Sequence, residues 1–111
     1  MPKDYKVITK DIAEYTGEIR KIIPNTMKGF SEMAKSATED GALDKKTKEL
    51  IALAIGVSQR CDGCIGFHAK TLKSLGTTRE ELTEMLGMTI YMGGGPALMY
   101  AANALRAYDE M

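Results

Sequence analysis

The chain carries no surplus charge of either sign: 15 Lys and Arg balance 15 Asp and Glu over 111 residues. This speaks against nucleic acid and acidic lipid as partners, since binding a phosphate-rich surface draws on an excess of Lys and Arg. No run alternates apolar and polar residues, so no strand is expected. Met1 to Lys10 holds three lysines and no apolar stretch, so a secretory signal is not expected and a cytoplasmic location is. The one stretch that invites a membrane reading, Met85 to Leu105, has no charge but is broken by Gly93-Gly94-Gly95-Pro96. Each half is too short to span a bilayer. Cysteine and histidine are scarce, at two and one. In such a chain a cysteine pair points to catalysis or metal binding rather than to a structural staple. A disulfide over so short a loop would also stabilise the fold little.

What is present reads as helix throughout, in one domain spanning 1–111. Residues 4 to 22 place Val7, Ile8, Ile12, Tyr15, Ile19, Ile22 and Ile23 at near-helical spacing, and Pro24 ends the segment. Residues 26 to 38 put Met27, Phe30, Met33, Ala34 and Ala37 on one face, with Gly41 as the stop. Asp44 is a suitable N-cap for a third helix over 45–58, whose Leu50-Ile51-Ala52-Leu53-Ala54-Ile55 run is apolar all round and predicts deep burial. A fourth helix follows over 61–74. Thr78-Arg79-Glu80-Glu81 forms a capping box for a fifth, and Pro96 opens a sixth that reaches about residue 108. The expectation is an all-α bundle of about six helices.

The chemistry concentrates in Cys61-Asp62-Gly63-Cys64-Ile65-Gly66-Phe67-His68. Offsets of three and four residues stack both cysteines and the histidine on one helix face. Free N–H groups and the positive end of the helix dipole favour a thiolate at Cys61 and Cys64, and Cys-X-X-Cys placement can depress a thiol pKa well below about 8.5. Asp62 opposes this slightly, though it suits the dipole. His68, one turn beyond Cys64, can take its proton. Cys64 is then the activated nucleophile and Cys61 the thiol that closes the disulfide. Glu49 joins by reflection: folding the third helix back about 59–60 sets residue 49 level with residue 70, beside His68. There it could orient the imidazole and relay its proton.

The pattern Glu49–X11–Cys61-X-X-Cys64-X-X-X-His68 resembles the alkylhydroperoxidase D-like family, grouped with the carboxymuconolactone decarboxylases. Lys48-Glu49-Leu50-Ile51-Ala52-Leu53-Ala54, Cys64 to Lys70 and Leu75 to Leu82 carry the likeness further, over about residues 20 to 108. The resemblance implies an all-α fold with its site at the antiparallel helix pair. It implies a thiol peroxidase or disulfide reductase in which Cys64 attacks peroxide, Cys61 resolves it, and Glu49 and His68 relay the proton. No cofactor or metal is implied; a dithiol reductant, lipoyl- or thioredoxin-like, is. Alkylhydroperoxidase D itself has a second histidine where this chain has Gly63, and a doubled domain where this chain has one copy. Single-copy members of the family tend to form six-subunit rings. This fits the apolar surplus of the last two helices, more than a chain of this size can cover alone. A homohexamer is therefore expected.

Other readings stay open on the residues alone. The cysteines could be a buried inert pair, Glu49 a solvated first-turn glutamate, and Cys61, Cys64, His68 and Glu49 a zinc site. A lyase acting on a small lactone acid, with His68 and Glu49 as acid and base, is the alternative enzyme; lactone decarboxylases generally lack the cysteine pair.

Overall fold

In a computed structural model, whose described residues are 2–111, the chain folds as helices joined by short turns. Each helix begins where local chemistry satisfies its first N–H groups. Asp4 accepts from the amides of Lys6 and Val7 to open α1, Tyr5–Ile22. Pro24, whose missing N–H is no loss in a first turn, opens α2, Pro24–Ala37. Asp44 accepts from the Thr47 amide at 2.7 Å to open α3, Lys45–Ser58. Cys61 caps α4, Asp62–Ser74. Thr78 and Glu81 exchange both capping-box bonds, at 3.1 and 2.9 Å, at the start of α5, Arg79–Glu110.

Among the described residues the count is five where about six helices are expected, because the last two abut: Arg79–Glu110 is helical on both sides of a kink at Gly94 (φ 69°, ψ −151°), with no loop between the halves, and the break falls where Gly93 to Pro96 predicts it. Positive φ is open to glycine without strain, and Pro96 just beyond it withholds an N–H from the helical ladder. Two other expectations need correction. Gly41 is not the stop for α2, which closes three residues earlier, where the Thr38 amide bonds to the Ala34 carbonyl at 3.1 Å. The apolar half of α3 is not wholly buried: Leu53 is, but Ile51 and Ile55 are about half exposed.

The core lies among α1, α3, α4 and α5. α3 packs on α4 and α5, and α4 packs on α1 and α5, while α2 touches α1 alone and buries no residue. Tyr5, Leu53, Ile65, Leu72 and Leu82 have no exposed surface. Burying each aliphatic one contributes roughly 1.5–3 kcal/mol. The α3–α4 pair is therefore the best-supported part of the molecule, and it holds the predicted site. Among the described residues no helix is long and apolar enough to cross a membrane.

Candidate functional site

The turn from α3 to α4 brings the two halves of the site together. Gln59 and Arg60 reverse the chain, with Arg60 in the left-handed region at φ 56°, and the Cys61 amide bonds back to the Gly56 carbonyl at 2.9 Å. Such a tight reversal sets α3 and α4 antiparallel and in close register. Gly56 permits the approach: a Cβ there would stand 2.9 Å from the Cβ of Cys64. Cys64 therefore sits against the backbone of α3.

Cys61 and Cys64 are joined as a disulfide, with their Cα atoms 5.2 Å apart. Both are half-buried. The Cys61 sulfur also serves as the N-cap of α4, accepting from the Cys64 amide at 3.2 Å. A sulfur in that place faces the positive end of a 13-residue helix, where negative charge is favoured. His68 lies one turn past Cys64. Its Nδ1 is 2.7 Å from Oε2 of Glu49. An ionised carboxylate can only accept, so toward it Nδ1 donates, an arrangement that in a neutral ring leaves the Nε2 lone pair for other partners. Glu49 is almost wholly buried, its side chain 7% exposed, while that of His68 is 33% exposed. The histidine thus joins a buried carboxylate to the surface. All four residues selected from the sequence stand on the α3–α4 pair, and Glu49 and His68 meet as the reflection about 59–60 predicts. Among the described residues no group of three or more His, Cys, Asp and Glu converges as a metal cage.

Three neighbours were not expected from the sequence: Lys3 and Tyr5, which answer Asp62, and Gly56. Asp62, between the cysteines, accepts from the Tyr5 hydroxyl at 2.9 Å and binds Lys3 Nζ through both carboxylate oxygens, at 3.0 and 2.9 Å. Burial, reinforced by the Asp62 hydrogen bond, pushes the Tyr5 phenol far above its usual range. The same carboxylate raises the Lys3 ammonium. Nothing in the sequence links partners 57 and 59 residues apart, although an acid in a Cys-X-X-Cys spacer marks a charge that needs an answer. Gly56 is the third. Its signal was available, because the reflection that pairs 49 with 70 also sets 56 beside 63 and 64.

Comparison with known proteins places the fold. A protein of Legionella pneumophila, described as a carboxymuconolactone decarboxylase family protein, superposes with a TM-score of 0.94 at 60% identity, over 96% of this chain and 95% of its own. A Thermotoga maritima member, for which a part in the antioxidative response has been suggested, superposes at 0.70 with 30% identity, over 77% and 88%. An uncharacterised protein of Cupriavidus necator is 40% identical across the whole chain and 98% of its own length. Residues 24–107, which include all of α2, α3 and α4 and so both sides of the site, match a single family description. On that match and these likenesses, the chain belongs to the carboxymuconolactone decarboxylase family.

Proposed function

We propose that the protein is a thiol-dependent peroxidase or disulfide oxidoreductase working through Cys61 and Cys64. The observation that carries this reading is the buried Glu49 bonded to His68 one turn from a disulfide at a helix N-terminus. In the reduced protein His68 takes the Cys64 proton. The thiolate attacks a peroxide oxygen: an S–O bond forms, the O–O bond breaks, and an alcohol or water leaves with a proton from His68. Cys61 then attacks the sulfenic sulfur, an S–S bond forms and water departs. An external dithiol, lipoyl- or thioredoxin-like, returns two electrons and two protons to reopen the disulfide. Glu49 holds the imidazole in the tautomer this sequence needs. Such thiol chemistry suits the reducing cytoplasm.

Cys64→Ser is expected to abolish peroxide consumption, whereas Cys61→Ser should complete one turnover and stop at the sulfenic acid, trapped by a dimedone-type reagent. Equal loss of that first turnover in both variants would overturn the assignment of roles.

A second reading has one observation in its favour: the Glu49–His68 pair is complete without sulfur, and the family is named for a decarboxylation. A lyase acting on a small lactone acid would keep its activity after both thiols are alkylated; the peroxidase would lose it.

The working form is a homo-oligomer, with six subunits the best match to the family resemblance. Met88, Tyr91, Met92, Leu98 and Met99 on α5 stand 45–78% exposed in the single chain, more open apolar surface than soluble monomers usually carry. Closed symmetric assembly is the common answer to such a surface. Light scattering at micromolar concentration is expected to give a mass several times 12.1 kDa that persists in high salt, since apolar contacts are not screened. A monomer would refute this.

A further inference from the structure

We propose that Lys3 and Asp62 form a charge-compensating latch that sets the ionisation of the Cys61–Cys64 pair, with Asp62 a positioning residue for the redox turn. The inference rests on the reading of that pair as redox-active, but not on peroxide being its oxidant.

Asp62 occupies the first position of α4 and lies in the spacer between the two cysteines. Alone, its carboxylate would oppose a thiolate on either neighbour. It does not stand alone. Lys3 binds both of its oxygens and lies 4.8 Å from the centre of the Tyr100 ring. The Tyr5 hydroxyl, which has no exposed surface, donates to Oδ1, and the Tyr5 amide donates to Glu110 at 2.8 Å. The N-terminal residues are thus tied to the first turn of α4 through the Asp62 carboxylate and to the second half of α5 through Glu110 and the Tyr100 ring. A surface ion pair alone contributes little. Here the bidentate ammonium and the buried phenol fix the carboxylate on the side of Lys3, Tyr5 and Tyr100, so its charge is answered before the sulfurs meet it.

The other ionisable groups around the turn are few. Glu49 of α3 is engaged with His68. Glu110 and Tyr100 of α5 lie on the Lys3–Tyr5 side, and Arg60 is in the preceding turn. No acid among these bonds to Asp62 or Lys3, and Arg60, His68 and the N-terminus of α4 act on the sulfurs alike in every variant, so a change at Lys3 or Asp62 is read against a constant background.

Charge compensation makes a prediction about sign that loosened packing does not. Lys3→Met leaves Asp62 unanswered, which should raise the lower thiol pKa of the reduced pair. Asp62→Asn leaves Lys3 as an unopposed cation, which should lower it; the amide can still accept from Tyr5. One unit charge at a neighbouring residue is expected to move that pKa by on the order of half to one unit, a three- to tenfold change in thiolate at fixed pH. The double variant Lys3→Met/Asp62→Asn should return close to the parent. Tyr5→Phe, which removes a bond but no charge, should move it less than either single change.

The reduced proteins are titrated by thiolate ultraviolet absorbance in low salt, with circular dichroism to check the fold. Opposite shifts that cancel in the double variant support the latch. Shifts of the same sign, or none, overturn it. Should Asp62→Asn fail to fold, the Lys3→Met arm decides by itself, because that side chain is 35% exposed and its loss leaves the core intact. The measurement needs no peroxide, so a protein that ignores peroxide yet shows the opposed shifts would sink the peroxidase reading and leave the latch standing.

Discussion

Gly56→Ala is expected to destabilise the protein even though it places a better helix former in the middle of α3. An alanine Cβ at this position would lie 2.9 Å from the Cβ of Cys64, where carbon atoms normally rest about 3.5–4.0 Å apart. Cys64 Cβ is one bond from the α4 backbone, so no rotamer change moves it away. The helices must part by several tenths of an ångström instead. Overpacking of this kind costs typically about 1–3 kcal/mol, against a propensity gain of roughly 1 kcal/mol for leaving glycine. The net is a loss of about 0–2 kcal/mol. Gly87→Ala is the matched control: it also lies inside a helix, α5, but a Cβ there meets nothing within 4 Å. Only the propensity term remains, so that change should stabilise by about 0.5–1 kcal/mol. The two substitutions should therefore differ by roughly 1–3 kcal/mol, which in a chain of this size is several degrees in Tm. Urea and thermal unfolding of both variants measure the difference. Parting α3 from α4 also draws His68 away from Glu49, which holds its ring across that gap, so Gly56→Ala should slow single-turnover thiol oxidation, while Gly87→Ala should not. If Gly56→Ala stabilises as much as Gly87→Ala, the close approach is not what places glycine at 56.

His68→Ala should slow disulfide formation by peroxide near neutral pH, on the order of a hundredfold. The rate should recover partly at higher pH as the Cys64 thiolate forms unaided; an unchanged stopped-flow pH profile would return His68 to a structural role. Tyr5 gives a stability prediction in alkali. Its phenol holds its proton more tightly in the fold than in the unfolded chain, where the usual value is near 10. The stabilisation is therefore complete below that pH and lost as pH rises beyond it. Lys3, also raised by its bond to Asp62, acts in the same window and direction. Urea unfolding above about pH 10 should show a steeper decline for the parent than for Tyr5→Phe, and parallel declines would refute this.

Much of the site could be read from the sequence because its geometry is local. Cys61, Cys64 and His68 share a face through helical offsets alone, and Glu49 reaches His68 through one tight turn, so a single reflection suffices. The caps at Asp44 and Thr78 are equally local, and both make the bonds their side chains predict. The latch on Asp62 is of another kind. It joins residues 57 and 59 positions apart through the packing of α1 on α4, and no periodicity encodes which residue of one helix meets which of another. The kink at Gly94 lies between these cases. Three glycines and a proline mark a break in the sequence, and the structure has it at Gly94; whether such a break opens into a loop or stays a kink between two abutting helical halves depends on what both halves rest against.

The same limit governs the apolar residues. Helical spacing identifies a face that excludes water; it does not identify what covers it. Met27, Phe30 and Met33 form one face of α2 in the sequence, yet Phe30 and Met33 are about 60% exposed and the helix buries nothing. Ile51 and Ile55 of α3, with Met88 and Met92 of α5, line an open apolar groove. The run from Leu50 to Ile55 predicted burial from its composition, and the single chain buries only the side of it that carries Leu53. A pattern that promises more burial than the monomer delivers is itself information. It separates residues whose partner lies within the chain, such as Leu53 in the core shared by α3, α4 and α5, from those the single chain leaves open, which the proposed assembly would cover. On this division the α3–α4 pair, which carries the site, is assembled by contacts internal to the chain. The chemistry at Cys64 and His68 should therefore be present in each subunit, and the assembly proposed for the open apolar faces would add to it rather than create it.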